Sequence, residues 1–330
     1  MKRLLRAVSL TIVLSVGLSG SVLGQLPWSW DGAPWADPRP FVSPISVDVK
    51  ANLRAILAVG NTNGRVEGRM GQIGDSITDS SAFFRNAAMW GADDNDTGHD
   101  YDPIRSWLAY SGDQPADENS FYNLYGKGVP YGNNSGWHLS DTVDAGHPAT
   151  AVEMGDGAVP GEFSWALIMF GTNDIDDAGW ETGWWSSDLA NFVQDFVDLG
   201  VIPVVSTIPP EAAHVGDGRV EAANHVIRAV AIDTDIPYVD YYNLILYHQP
   251  VTWHGTLISG DGTHPSAGGG GSDFSQDGVT TSDGYAARTK LAFDVAEILR
   301  TIVFEDGETH ALFLDDFESG DTSAWASTEP

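Results

Sequence analysis

Four short polar blocks hold the residues of this 330-residue chain that could do chemistry: GDSIT (74–78), YGNNSG (131–136), GTND (171–174) and DGTHP (261–265). In the first block, Ser76 follows a weak strand pattern and precedes a helical one. A serine at a strand-to-helix turn is exposed at the edge of a sheet, and the helix N-terminus favours negative charge on its hydroxyl. An ordinary N-cap serine is the alternative, and it would remain ahead if the first block stood alone.

The second and third blocks could bind a developing negative charge. Asn173 follows the apolar run 164–170, so its side-chain NH₂ is expected at the same sheet edge as Ser76, where it could donate to an oxyanion. Backbone N–H groups of the glycine–asparagine loop 131–136 can also point at an anion. Together these groups favour a nucleophilic serine over a capping one.

A histidine would have to accept the serine proton, and an Asp-x-x-His spacing occurs three times, at Asp96/His99, Asp144/His147 and Asp261/His264. Only the last pair follows the last predicted strand, and such a loop returns to the carboxyl edge of the sheet where Ser76 is expected. His99 lies in an acidic insertion, and His147 precedes the GTND block. We therefore predict His264 as the base, and we assign the six other histidines to the surface or the core.

Alternating strand and helix patterns between about residues 46 and 305 must position these groups. Strands are predicted at 69–73, 164–170, 201–208 and 236–239, and helices at 80–90, 188–199, 219–232 and 285–303. This alternation favours a parallel, doubly wound sheet whose ligands bind beyond the carboxyl ends of the strands. Two long loops, 91–120 and 266–283, interrupt this pattern. Loops of this length are usually either functional lids or mobile surface segments.

The four blocks, in this order, resemble those of the SGNH (GDSL) hydrolase family over roughly residues 65–303. The resemblance implies a three-layer α/β/α sandwich with a central parallel sheet, of flavodoxin-like type, and ester hydrolysis through an acyl-enzyme without metal or organic cofactor. The implied nucleophile, base and orienting acid are Ser76, His264 and Asp261, and the implied oxyanion donors are the Ser76 N–H, Gly136 and Asn173. The glycine block matches less closely, so Gly132 competes with Gly136.

The segment that follows Asn173, IDDAGWETGWW (175–185), should leave the catalytic edge as a loop that carries Trp180, Trp184 and Trp185. Aromatic faces beside carboxylates suit stacking on a sugar ring, and packing against other segments is the alternative. The long insertions are polar, unlike a lipase lid, which favours short acetyl-type esters on carbohydrate. A lipolytic esterase or an acyltransferase of the same fold remains an alternative, as does a non-catalytic extracellular carbohydrate-binding protein.

Composition limits the partners. The chain has 16 Lys+Arg and 46 Asp+Glu, a formal net charge of −30, which disfavours nucleic acid and anionic membranes and leaves a small-molecule or polysaccharide ester as the expected partner. The absence of cysteine excludes disulfides, thiol catalysis and cysteine metal sites. The acidic cluster 93–96, with Asp100 and Asp102, lacks EF-hand spacing, so we expect a solvated loop rather than a calcium site.

The two ends of the chain have compositions of their own. Basic residues followed by the apolar run 7–18 predict a signal peptide over 1–24 and hence a secreted (extracellular or periplasmic) protein without a membrane span; an uncleaved anchor is the alternative. Residues 25–45, with five prolines and three tryptophans, predict an extended strap. The hydrolase-like domain then covers 46–305, and the tail 306–330 is too short to fold alone.

Overall fold

The computed structural model describes residues 31–84, 97–108, 132–144 and 163–305. Four parallel strands form one sheet in the spatial order β1-β2-β3-β4, with bounds Val66–Gly74, Phe163–Met169, Ile202–Ser206 and Tyr238–Val239. Every residue of β2 and β3 is buried, so both faces of the sheet are covered. Apolar runs of this kind are typical of such doubly covered strands, and the predicted α/β/α fold is confirmed.

Helices surround this sheet. Those of the described residues are α1 (Val47–Thr62), α2 (Ser76–Asp79), α3 (Asp102–Leu108), α4 (Leu139–Asp144), α5 (Thr182–Asp198), α6 (Arg219–Asp233), α7 (Tyr241–His248) and α8 (Gly284–Leu299). The helices α5 and α6 connect β2 to β3 and β3 to β4, and they pack on each other. Every residue of α8 except Glu297 is buried, so this helix is the most enclosed of the described helices. None of the described helices combines the length and apolar composition that a membrane span requires.

The strand register brings the carboxyl ends of β1 and β2 together at one edge of the sheet, which we call the catalytic edge. Gly74 at the end of β1 pairs with Met169 at the end of β2, so the two strands stop side by side. The segments that follow, which contain Ser76 and Asn173, therefore leave the sheet at the same edge. This arrangement follows from parallel pairing, because parallel strands carry their carboxyl ends in one direction.

The described part of the strap, residues 31–45, lies along the domain. Ser43 N–H donates to the Tyr238 carbonyl at 2.9 Å, and Val42 bridges Val239 in antiparallel fashion, so the strap borders β4. Lys290 Nζ on α8 donates to the carbonyl of Ala36 at 2.6 Å. Hydrogen bonds to both the sheet and α8 thus hold this segment.

The structure corrects two of the predicted boundaries near the site. A helix was expected over 80–90, of which 85–90 lie outside the described residues; in the described part, the short α2 follows β1 directly and residues 81–84 form a turn. Ser80 takes an extended conformation (φ −61°, ψ 133°), which ends α2 after one turn. The helix expected at 188–199 begins at Thr182 instead, so part of the expected tryptophan loop is helical.

Other differences concern elements that the sequence patterns did not single out. The helices α1 and α7 were not predicted, and α3 lies inside the expected loop 91–120. The last strand is shorter than expected, with two residues, Tyr238 and Val239. The predicted signal peptide 1–24, the acidic cluster 93–96, His147 and the tail 306–330 lie outside the described residues.

Candidate active site

The turn between β1 and α2 places Ser76 as the first residue of the helix. Asp75 is the N-cap, and its Oδ1 accepts a hydrogen bond from Ile77 N–H at 3.0 Å. Gly74 permits this turn because a Cβ there would clash with the Met169 carbonyl and the Thr78 hydroxyl. The N-cap function thus belongs to Asp75, which leaves the Ser76 hydroxyl for other contacts.

A buried arginine of α8 stabilises the same turn through hydrogen bonds. Arg288 on α8 donates to the Ile77 carbonyl and to Thr78 Oγ1, each at 3.0 Å. Asp75 is fully buried beside it. Burial raises the pKa of Asp75 to about 6, although the bond from Ile77 and the charge of Arg288 oppose this. The serine therefore sits on a rigid, hydrogen-bonded support.

Ser76, His264 and Asp261 form a continuous hydrogen-bond chain. Ser76 Oγ lies 2.9 Å from His264 Nε2, and His264 Nδ1 lies 2.9 Å from Asp261 Oδ2. The second oxygen of Asp261 accepts from Ser259 Oγ at 2.7 Å and from the Thr263 and His264 N–H groups at 3.0 Å. Partial burial raises the pKa of Asp261, but these hydrogen bonds outweigh it and hold the pKa well below its usual range.

The loop that carries Asp261 and His264 is anchored to the loop that follows β3. Ala212 N–H donates to the Gly262 carbonyl at 2.8 Å, and a Cβ on Gly262 would clash with Ala212. Gly262 also has a φ of +84°, a conformation that favours glycine. Ser259, which sequence reasoning did not single out, closes the loop through its N–H to the His264 carbonyl at 2.8 Å.

The glycine–asparagine loop docks on the end of β1. Gly74 N–H donates to the Gly132 carbonyl and Asn134 N–H to the Gly74 carbonyl, both at 3.1 Å. Asn133 Nδ2 adds a bond of 2.8 Å to the Gln72 carbonyl. Gly132 is therefore buried as an extension of the sheet, whereas Gly136 lies at an exposed turn with a φ of +81°. Of the two competing glycines, Gly136 has the more accessible backbone.

Asn173 connects the end of β2 to this loop. Its Nδ2 donates to the Trp137 carbonyl at 2.8 Å, which uses one of the two amide hydrogens. The next residue, Asp174, accepts from Leu139 N–H at 3.0 Å and from Trp185 Nε1 at 3.1 Å. These bonds hold the Asn173 amide at the edge of the sheet, and among the described residues its second hydrogen remains free to donate.

The three tryptophans lie in different environments. Trp185 is fully buried in the first turn of α5 and bonds to Asp174, so its expected role in substrate binding is wrong: it is a core residue. Trp180 is half-buried and packs against Trp185 with ring centroids 6.1 Å apart. Trp184 is 39% exposed, which makes it the open aromatic face of the set.

Sequence reasoning missed a buried carboxylate that lies close to the catalytic loop. Glu211 follows β3, is only 3% exposed and lies near Thr263 of the catalytic loop. Burial, together with the charges of Asp176 and Asp75, raises the pKa of Glu211 to about 7. No motif marks this residue, because its neighbours come from separate loops.

The arrangement provides an activated hydroxyl, a histidine that can accept its proton, and donors at one sheet edge. A sequence profile of the GDSL-like lipase/acylhydrolase family matches residues 73–270, which contain all of these groups. The chain belongs to this family. Its members hydrolyse carboxylic esters, and the profile covers this acylhydrolase from the end of β1 through the DGTHP loop.

Solved structures similar to this acylhydrolase include an acetyl-xylooligosaccharide esterase from Geobacillus stearothermophilus, with 16% identity and a TM-score of 0.44 over 71% of this chain and 95% of that one. An alpha/beta hydrolase from the metagenome of Lake Arreo, Spain, has 15% identity and a TM-score of 0.46 over 72% and 97%. A peptidoglycan O-acetylesterase has 13% identity and a TM-score of 0.37 over 53% of this chain and 46% of that one, so the alignment spans less than half of its length. No curated protein matches the chain.

Proposed function

We propose that this acylhydrolase is a secreted serine esterase that removes short, acetyl-type acyl groups from carbohydrate through an acyl-enzyme. The hydrogen-bond chain from Ser76 through His264 to Asp261, with two contacts of 2.9 Å, carries the proposal. A nucleophile, a base and an orienting group at hydrogen-bond distance are the requirements for nucleophilic acyl transfer.

In the proposed reaction, His264 Nε2 accepts the proton of Ser76 as Oγ bonds to the ester carbonyl carbon. The carbonyl oxygen gains the negative charge, which the N–H groups of Ser76 and Gly136 and the Asn173 amide would bind. Collapse of this intermediate breaks the bond to the alcohol, which leaves with the proton from His264. Water then repeats the sequence on the acyl-enzyme and releases the acid.

The exposure of the site supports a bulky, hydrated alcohol portion of the substrate. The side chains of His264 and Asp261 are 40% and 51% exposed, so the triad lies at the surface rather than in a deep cleft. Trp184 offers an open ring, which a hydrogen bond from its Nε1 to the Gly179 carbonyl orients. An aromatic face of this kind can stack on the apolar face of a sugar.

A chain-length profile with p-nitrophenyl acetate, butyrate and longer esters tests the proposal. We expect the acetate to be the best substrate, whereas a preference for long chains would indicate a lipolytic enzyme. Addition of a sugar acceptor identifies an acyltransferase if acylated sugar forms faster than free acid. No turnover of any ester, with retained sugar binding, would indicate a carbohydrate-binding protein.

The proposed sugar contact has its own variant. Trp184→Ala should raise KM for an acetylated xylo-oligosaccharide several-fold and leave KM for p-nitrophenyl acetate unchanged, because only the sugar would reach the ring. Tyr247→Ala, which removes another exposed ring on α7, is the matched control. Equal effects of Trp184→Ala on both substrates would exclude a sugar contact.

Export is supported by the charged start and apolar run of residues 1–24. Mass spectrometry of protein recovered from the medium or periplasm should find an N-terminus near residue 25. Recovery of the intact chain in the membrane fraction would identify an uncleaved anchor instead.

A further inference from the structure

A second cluster of ionisable side chains lies where the loops after β2 and β3 meet. His214 Nε2 is 2.9 Å from Asp176 Oδ1 and 3.8 Å from Glu211 Oε2. One donor atom from each of the three residues lies within 4.8 Å of the other two. The esterase mechanism uses none of these side chains.

Glu211 is the unusual member of this cluster. It is 3% exposed, and its Oε2 is buried without a hydrogen-bond partner. A buried carboxylate oxygen normally receives a hydrogen bond or a cation, since its desolvation is otherwise uncompensated. Glu211 Oε2 faces His214 Nε2, so a cation that compensates this oxygen would lie inside the cluster.

His214 is oriented in the way that metal-binding histidines usually are. Its Nδ1 lies 2.8 Å from Asp217 Oδ2, so a carboxylate holds the far side of the ring. Without a cation, Nε2 donates its own proton to Asp176 Oδ1 at 2.9 Å. A cation that replaces this proton would be bound by Nε2 between Asp176 and Glu211. Carboxylate–histidine pairs of this kind orient metal ligands in many proteins.

We propose that Asp176, Glu211 and His214 bind one divalent transition-metal cation, with zinc as the best match. One imidazole nitrogen and two carboxylate oxygens suit zinc, whereas calcium and magnesium prefer oxygen ligands alone. Tetrahedral zinc with bonds of about 2.1 Å separates its ligands by roughly 3.4 Å. The observed separations of 2.9 and 3.8 Å lie on either side of this value.

A cavity borders two of the three proposed ligands. Glu211 and His214 line a cavity of about 130 Å³, together with Val220 and Tyr242. A space of this size accepts water molecules, one of which could complete the coordination of the cation. The side chain of Asp176 is 65% exposed, which provides a path for entry from solvent.

A cation at this position would join two loops of the catalytic edge. Asp176 lies three residues after Asn173, and Ala212, next to Glu211, holds the Gly262 carbonyl of the catalytic loop. The ion would therefore stabilise the edge as a structural clamp rather than take part in ester cleavage. The site does not depend on the proposed esterase function, because metal binding is measured separately.

Calorimetric titration of the EDTA-treated, dialysed full chain with zinc chloride tests the proposal. We expect one saturable equivalent of zinc, weaker binding of manganese, no calorimetric response to calcium, and a higher Tm with zinc. Glu211→Gln, His214→Asn and Asp176→Asn should each weaken zinc binding by at least about tenfold. Asp217→Asn should weaken it by about 10- to 100-fold through the orientation of His214.

Two control variants exclude binding elsewhere. His225→Asn removes an exposed histidine of α6 and should leave zinc affinity unchanged. His264→Ala should also retain the equivalent, because the proposed site is separate from the triad. Circular dichroism identifies variants that fail to fold, and the exposed Asp176→Asn then decides the question.

Absence of saturable zinc binding, or unchanged binding in the folded Asp176, Glu211 and His214 variants, would overturn the proposal. Loss of the equivalent in His264→Ala would assign the zinc to the triad and would overturn it as well. Retention in both controls with loss in the ligand variants would support it.

Discussion

Two histidines with the same Asp-x-x-His spacing have opposite surroundings. His264 has Asp261 on Nδ1 but a hydroxyl, Ser76 Oγ, on Nε2. His99 has carboxylates on both nitrogens: Asp31 at 2.6 Å from Nδ1 and Glu297 at 2.7 Å from Nε2. A carboxylate only accepts hydrogen bonds, so His99 must donate from both nitrogens and is held as an imidazolium.

The charge state of His99 follows from this geometry. Burial lowers its pKa, but the hydrogen bonds to Glu297 and Asp31 and the nearby charge of Asp294 outweigh burial and raise the pKa to about 9. At neutral pH this histidine has no lone pair to accept a proton. The partner of the second nitrogen, rather than the spacing to an aspartate, decides whether a histidine can be a base.

The largest expected effect concerns the nucleophile and its base. Ser76→Ala and His264→Ala should each lower kcat/KM by about 10⁴- to 10⁶-fold, and the double variant should be no worse, because the two groups act as one unit. A fluorophosphonate probe should label wild type at Ser76 alone. His99→Ala and His147→Ala should retain activity within a few-fold, and an inactive His147→Ala beside an active His264→Ala would reverse the assignment.

A smaller loss should follow removal of the orienting acid. Asp261→Ala leaves the nucleophile and base in place, so its kcat should fall below that of wild type but remain about 10- to 100-fold higher than the kcat of His264→Ala. The measurement is kcat for p-nitrophenyl acetate, in parallel for both variants. A loss as large as that of His264→Ala would mean that Asp261 does more than orient the ring.

Removal of the oxyanion donor Asn173 should lower kcat by less than removal of Asp261. Asn173→Ala should lower kcat by about 10²- to 10³-fold with little change in KM, because the charge it would bind exists only in the transition state. Asn52→Ala is the matched control, since its amide bonds to the carbonyls of Thr234 and Asp235 instead. A wild-type kcat in Asn173→Ala would show that the amide only supports the Trp137 loop.

The smallest expected effect is on stability, through His99. Its folded-state pKa of about 9 exceeds the unfolded value of 6.5, so its stabilisation is complete below pH 6.5 and is lost as the pH rises through 9. Urea unfolding should give a free energy of unfolding that is about 1–3 kcal/mol lower at pH 10 than at pH 6, and this difference should be absent in His99→Gln. The range includes a reduction for solvent screening, because Asp31 is exposed. The exposed His225→Gln should behave like wild type; an unchanged pH dependence in His99→Gln would contradict the ion-pair assignment.

The sequence was sufficient wherever one signal dominated. Uninterrupted apolar runs marked β2 and β3, and chain order distinguished the 261–265 loop from its two rivals, because order determines which loops reach the catalytic edge. Ser46 could have revealed α1, since its hydroxyl accepts from Val49 N–H as an N-cap. These are local or topological features, which a sequence displays directly.

Features that depend on tertiary contacts were not visible. Thr182 and Gly183 predicted a loop, and Glu181 provides no side-chain cap, yet burial of Trp185 and its bond to Asp174 extend α5 through them. Asp176 and Glu211 are likewise brought together only by the neighbouring positions of β2 and β3. Contacts between loops that follow adjacent strands have no fixed sequence separation, so no sequence motif predicts them.

The strap beside β4 also dictates the order in which the molecule can be completed. Tyr238 N–H bonds to Ser43 Oγ, a contact between residues 195 positions apart in the chain. A ribosome makes the strap first, but its docking partner emerges only after three strands of the sheet have been synthesised. Until β4 has joined β3, the strap cannot form its hydrogen bonds to this edge of the sheet. Its addition must therefore be a late event of folding, and one that a long loop closure makes slow.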